Sequence, residues 1–181
     1  LQIKELIEDL NLTSKLEYDM QPLRKDSACL STLLRRAVAE TMNRAEEEGA
    51  DCPIWLEIAD GLEGRTIQAD GHLLLRAFRN LFNNAVKHNP DGCIVSVKAE
   101  LMEEAPKNQG GQKPVWAYLK FFNTGNGLPG EIEKFINCGT EPDSGTHIMG
   151  LRIVKQIILA HGGRISAKPD GIEIRLPICK E

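Results

Sequence analysis

With 181 residues, 41% of them hydrophobic and 27% charged, the chain has the length of one ordinary domain with a short appendage and can bury a real core. A formal net charge of −4 and a pI near 5.7 exclude the broad basic footprint that holds DNA or RNA, so no nucleic-acid partner is expected and any bound nucleotide is a small molecule. The five scattered cysteines lack C-x-x-C spacing and argue against a disulfide framework or a zinc site, leaving a reducing cytoplasm as the simplest compartment; no apolar run approaches membrane-spanning length and there is no signal-peptide pattern.

The chain begins at Leu1 inside a helical pattern, which reads as a fragment of something longer. Over residues 1–16 the apolar positions Ile3, Leu6, Ile7, Leu10 and Leu16 trace a stripe that needs a partner helix. Residues 18–24, broken by Pro22, read as a short edge strand or linker. Asp26 or Ser27 then offers a cap for a helix through Leu30, Leu33, Leu34, Ala37, Val38 and Met42, closed by Gly49. Strands follow at 53–59 and 65–69, and Asp70 caps a long helix that Pro90-Asp91-Gly92 ends. Further strands at 93–101 and 115–122 flank a plain hairpin loop at 105–111. A short helix at 131–136 leads into a polar, glycine-containing connection over 137–147, expected to be mobile. An apolar helix at 151–159 and a hairpin, 164–167 and 172–178 about the turn Pro169-Asp170-Gly171, complete the chain. The pattern predicts an α/β sandwich with a mixed, largely antiparallel sheet and helices on one face.

Three stretches could carry chemistry. On the long helix, Leu74, Phe78, Leu81, Phe82 and Ala85 form the apolar side, while Asn80, Asn84 and Lys87 lie about a turn apart on another. Asparagine is a poor helix former, so a solvated face would rather carry Glu, Lys or Gln. Asn84 and Asn80 could supply amide oxygens to magnesium, with Lys87 meeting a phosphate; a polar face without ligand accounts for them equally well. Asn123-Thr124-Gly125-Asn126-Gly127, directly after a strand, allows close backbone approach to a flat ligand, although most such turns bind nothing. Gly145-Thr146-His147-Ile148-Met149-Gly150-Leu151 brings backbone N–H groups to a helix start, where phosphate binds, or makes an ordinary helix entry.

In order, Asn80-x-x-x-Asn84-Ala85-x-Lys87-His88, Asn123-x-Gly125-x-Gly127-Leu128-Pro129, Gly150-Leu151-x-Ile153-Val154-Lys155 and Ala160-His161-Gly162-Gly163 resemble the catalytic ATP-binding domain of bacterial sensor histidine kinases. The resemblance runs from about Tyr18 to the end and implies the Bergerat fold shared with gyrase, MutL and heat-shock chaperone ATPases. Residues 1–17 resemble the C-terminal part of the family's dimerisation and phosphotransfer helix, leaving 18–181 as the catalytic domain. Carried over residue by residue, the likeness implies ATP and Mg2+ as ligands, with Asn84, helped by Asn80, on the magnesium. Lys87 would contact phosphates, and His88 would border the ribose-phosphate region. Asn123 would face the adenine amine; Gly125, Gly127 and Leu128 would close on the base. Gly150 and Leu151 would start the helix beneath the phosphates, and residues 137–149, Thr146 included, would form the ATP lid. It also implies a homodimeric, membrane-anchored sensor whose cytoplasmic domain this is, an upstream phosphoacceptor domain, and a response regulator.

Branches of this superfamily that hydrolyse ATP place a glutamate one turn before the magnesium asparagine. Here that residue is Asn80, which cannot activate water, and phosphoryl transfer is favoured over hydrolysis. The chain departs from the family in three places. Asn123 replaces an aspartate, so a charge-assisted hydrogen bond of ~1.5–3 kcal/mol becomes a neutral one of roughly 1 kcal/mol. Thr146 and Ile148 thin the last glycine box, and the aromatic and arginine cluster before a short lid is reduced to Phe135-Ile136. None of His72, His88, His147 and His161 sits in the phosphoacceptor context, so the chain alone should not autophosphorylate. The alternative is a degenerate, non-catalytic member acting as an interaction module.

Overall fold

A computed structural model describes residues 2–18, 20, 22–50, 52–89, 91–104, 114–142 and 148–178. Its elements run α1 (Gln2–Glu17), β1 (Asp26–Cys29), α2 (Leu30–Glu47), β2 (Ile54–Ile58), β3 (Thr66–Ala69), α3 (Gly71–Lys87), β4 (Val95–Glu103), β5 (Val115–Asn123), α4 (Gly130–Cys138), α5 (Met149–Ala160), β6 (Arg164–Lys168) and β7 (Gly171–Pro177). Five strands form one sheet in the order β2-β4-β5-β7-β6, antiparallel except for the parallel pair β2–β4. The expected α/β sandwich is the one found.

Period-two alternation decides which side of the sheet is covered. Val95, Val97 and Ala99 of β4, Ala117, Leu119 and Phe121 of β5, and Ile172, Ile174 and Leu176 of β7 all point to the buried side. Against them lie the apolar faces of α2 (Leu30, Leu34, Ala37), α3 (Leu74, Phe78, Leu81, Phe82) and α5 (Ile153, Val154, Ile157, Ile158).

Several local expectations are corrected. Residues 26–29 are a strand, not a helix cap: Asp26 pairs with Ala69 and Cys29 with Thr66, making β1–β3 a separate two-stranded sheet. Cys29 takes the N-cap position of α2 without a side-chain capping bond, so pairing with 66–69 outweighs a capping preference of about 1 kcal/mol. The described residues of 18–24 carry no strand. Helix α4 extends through Asn137 and Cys138 and stops at Gly139, whose φ of 75° is left-handed. The loop at 105–111 and Pro90 lie outside the described residues. On α1, Ile7 and Leu10 are more than half exposed, whereas Thr13 and Leu16 are buried where the helix meets α5. Ion pairing of Asp9 with Arg76 adds a tie from α1 to α3.

Two of the scattered cysteines meet in space: Cys52 and Cys93 are buried free thiols with sulfurs 2.9 Å apart. Burial, with Cys52 beside it, pushes the Cys93 thiol up to about 12, so it is protonated at neutral pH.

His161 joins two helix ends. Its Nδ1 lies 2.7 Å from the Ile157 carbonyl and its Nε2 accepts from the Asp70 backbone N–H at 2.9 Å, which requires a neutral ring. Burial pushes its pKa below the ordinary 6.5, with Lys25 acting in the same direction and the Ile157 carbonyl and Asp70 opposing. Its stabilising contribution is therefore complete above about pH 6.5 and is lost as pH falls toward the folded-state value. Wild-type melting temperature should drop between pH 7.5 and 5.5, and His161→Gln should flatten part of that drop. Identical pH profiles would show that His161 is not the group responsible.

Candidate functional site

Helix α3 builds one wall. Asp70 caps it, with Oδ1 accepting from the Leu73 N–H at 3.1 Å and Oδ2 from the Arg24 N–H at 3.2 Å. Its apolar face is anchored in the core, which turns Asn80 and Asn84 toward the first turn of α5. Gly150 is the contact: a Cβ there would lie 3.5 Å from Asn84 Nδ2, and Asn80 Nδ2 donates a long 3.5 Å bond to its carbonyl. Asn84 Nδ2 is buried and has no hydrogen-bond partner; among the described residues only Trp116 Nε1 shares that condition. Such an orphan costs about 1–3 kcal/mol unless something arrives to meet it. The oxygen and nitrogen of the amide exchange by a flip of the side chain, so this end can present either a donor or an acceptor.

The second wall is the turn after β5. Asn123 Oδ1 accepts from the Gly125 N–H at 2.9 Å, closing an Asx turn, and Thr124 pairs with Ile94 through both its N–H and its hydroxyl. Gly125 is required by space, since a Cβ would fall 1.9 Å from Asn89 Oδ1. The Leu128 N–H bonds the Pro169 carbonyl at 3.1 Å, joining this turn to the β6–β7 hairpin.

Between these walls opens a cleft of about 700 Å3, counting the space continuous with solvent. Leu81, Ala85, Phe121, Ile132, Leu151 and Ile172 make its apolar surface; Asn84, His88, Asn123, Asn126 and Asp170 supply polar groups. This is the composition of a small-ligand site, with flat apolar walls and a few convergent polar atoms. Asp170 is held below the usual carboxylate range by Lys120, whose Nζ lies 2.7 Å away. Ile148, at the N-cap of α5, gives no side-chain hydrogen bond to the first turn, and a helix start is where N–H groups can meet an anion.

Of the residues singled out from sequence, Asn84, His88, Asn123, Gly127, Leu128 and Leu151 line this one cleft. Asn80 and Gly150 adjoin it through Asn84, and Gly125 lies behind it on Asn89. Lys87 does not line it: with Asn83 and Val86 it borders a shallow groove toward Thr41, Arg44, Ala45 and Glu48 of the α2 end. Thr146 lies outside the described residues. Sequence reasoning gave Asn126 no role of its own within the candidate turn and missed Asn89, Asp170 and Ile172 as parts of the cleft or its support. In sequence Asn89 only precedes the Pro90-Asp91-Gly92 stop and 169–171 is a bare turn, and only the tertiary fold brings them here. Phe135, which with Ile136 is what the sequence has of the cluster before the lid, carries Arg152 and Lys155 over its ring at 5.5 and 5.2 Å, both supplied by α5.

Residues 69–179 match the sequence profile described as "Histidine kinase-, DNA gyrase B-, and HSP90-like ATPase". Among curated relatives, the chain is 27% identical over 177 residues to Sensor protein SphS of Synechococcus elongatus, covering 92% of this chain and 40% of that protein. It is 30% identical over 172 residues to Sensor protein CutS of Streptomyces coelicolor (91% and 37%) and 27% identical over 169 residues to Sensor histidine kinase YvrG of Bacillus subtilis (90% and 27%). The chain thus spans well under half the length of these relatives. Among solved structures it resembles the Acinetobacter baumannii histidine kinase AdeS, with TM-score 0.69, 17% identity and coverage of 98% of this chain and 79% of that one. It also resembles full-length ShkA, crystallised with AMPPNP, with TM-score 0.72, 22% identity and coverage of 99% and 36%. At those identities the two structures speak for the fold.

Proposed function

The chain belongs to the family of histidine kinase-, DNA gyrase B- and HSP90-like ATPases, and on that premise we propose that its cleft binds Mg-ATP and presents the γ-phosphate to a histidine outside these residues. Its homologues are sensor proteins of the histidine kinase type, which supports an ATP-binding kinase domain. The observation that carries the site assignment is the buried, partnerless amide nitrogen of Asn84 where α3 meets the start of α5.

The adenine would lie among Leu81, Phe121, Ile132 and Ile172, with Asn123 at its edge and Gly127 and Leu128 beside it. His88 would border the ribose and phosphates, and the N–H groups opening α5 at Gly150 and Leu151 would hold phosphate oxygens. Asn84 and Asn80 fit magnesium by chemistry and by placement, since a neutral amide oxygen is a hard ligand and Gly150 leaves space in front of both. Magnesium bound there would neutralise charge on the phosphates. Lys87 would reach them only by turning across the helix from its α2 side. In the transfer, a histidine nitrogen attacks the γ-phosphorus, a P–N bond forms, the bond to the bridging oxygen breaks and ADP leaves. Asn80 provides no general base, which favours this acceptor over water.

Residues 1–17 would continue an upstream dimerisation and phosphoacceptor helix, and the whole protein would be a homodimeric sensor, anchored in a membrane, that passes the phosphoryl group to a response regulator. No helix among the described residues is itself long and apolar enough to cross a membrane. A degenerate interaction module is the second reading; it is favoured by Asn123, which is uncharged and whose Oδ1 already accepts from Gly125.

Titration calorimetry separates the two. Mg-ATP should bind with micromolar to sub-millimolar affinity, and no heat up to millimolar nucleotide would leave only the interaction module.

A further inference from the structure

Asn89 does not line the cleft, yet its side chain joins the two walls. It is buried, 6% exposed, immediately beyond the C-terminal end of α3. Its Nδ2 donates to the Ala85 carbonyl of that helix at 2.8 Å, and its Oδ1 accepts from the Asn126 N–H of the turn at 2.7 Å. The Asn126 side chain returns the tie, donating from Nδ2 to the His88 carbonyl at 3.0 Å. Gly125 sits directly on the same carboxamide, with space for no Cβ between them. A donor facing one way and an acceptor facing the other, on a side chain this short, is what an asparagine amide supplies; aspartate lacks the donor and leucine lacks both.

We propose that Asn89 is a positioning residue for the nucleotide: it fixes the spacing between the Asn123–Leu128 turn and the Asn84 end of α3. The proposal rests on the reading of the cleft as an ATP site, in which the base is held by the turn and the phosphates by α3 and α5. A ligand that touches both walls gains from their being held at one distance before it arrives, because no binding free energy is spent on aligning them. Ligands that touch only one wall gain nothing from the link. Asn89 therefore acts on ATP as a whole and not on either of its halves.

The test titrates Mg-ATP, adenosine and inorganic triphosphate with magnesium into wild type, Asn89→Ala and Asn89→Asp. In Asn89→Ala, ATP should bind about tenfold more weakly, as for a lost buried hydrogen bond, while adenosine and triphosphate each change by less than about twofold. Asn89→Asp keeps the acceptor for the Asn126 N–H and should fall between the two. Equal weakening of all three ligands would reduce Asn89 to a structural residue and overturn the proposal, as would unchanged ATP binding. If Asn89→Ala does not fold, Asn89→Asp decides by the same comparison. A second readout is independent of nucleotide: exchange of the Asn126 amide hydrogen should be slow in wild type and about tenfold faster in Asn89→Ala or, if that variant does not fold, in Asn89→Leu, and equal rates would overturn the coupling. Should wild type bind no Mg-ATP, the kinase reading fails while amide exchange still judges the link.

Discussion

Asn84→Ala is expected to weaken Mg-ATP binding by about 10–100-fold and to remove its dependence on magnesium, the scale on which metal sites respond to a lost partner. The same variant should melt at or above the wild-type temperature. Asn84 Nδ2 is buried without a partner, so truncation removes a group that costs about 1–3 kcal/mol, and alanine is the better helix former at this interior position of α3. Stability and affinity moving in opposite directions is the signature of a side chain retained for a ligand. Calorimetry with and without magnesium, beside a thermal melt, checks both halves; unchanged magnesium dependence, or a clear loss of stability, would make Asn84 an ordinary structural amide.

Phe78→Ala is expected to cost about 3–5 kcal/mol, the range for emptying a buried phenylalanine site. Phe78 is fully buried and stacks on Phe121 with ring centroids 6.0 Å apart, and Phe82 meets the same ring at 5.6 Å. Phe121 is also part of the cleft surface, so these rings connect the core directly to the proposed base position. Urea denaturation should show the midpoint falling with little change in slope. A loss below about 1 kcal/mol would mean that the cavity collapses and that α3 is not pinned to β5 as described.

How far the sequence could be read depended on whether the signal was local. Helix α3 was legible because apolar spacing and the Asp70 cap act within the element, and α5 and the β6–β7 hairpin for the same reason. Strand β1 was not. Asp26 and Ser27 resemble a cap until Ala69 and Gln68 arrive beside them from more than forty residues away, and nothing near 26–29 announces that pairing. Around the cleft, Asn80 and Asn84 stood out because asparagine is unusual on a helix face, whereas Asn89, just before the Pro90-Asp91-Gly92 stop, carried no local signal. Its importance comes from Gly125 and Asn126, which are remote in sequence. Lys87 shows the converse: spacing alone puts it near Asn84, but the groove it borders belongs to α2, and helical periodicity cannot tell which neighbour a long exposed side chain will follow.

The parallel pairing of β2 with β4 bears on how the cleft comes into being. Parallel neighbours cannot be joined by a tight turn, and here the connection between them runs through β3 and the whole of α3. The helix that carries Asn80 and Asn84 is thus part of the crossover itself, and lies in sequence between the two strands it connects. Parallel pairing across such a connection carries a loop-closure cost that a tight hairpin such as β6–β7 does not. The placement of the two amides therefore depends on the same helix that links the parallel strands, so a change that loosens this crossover would be felt at the proposed site as well as in the sheet.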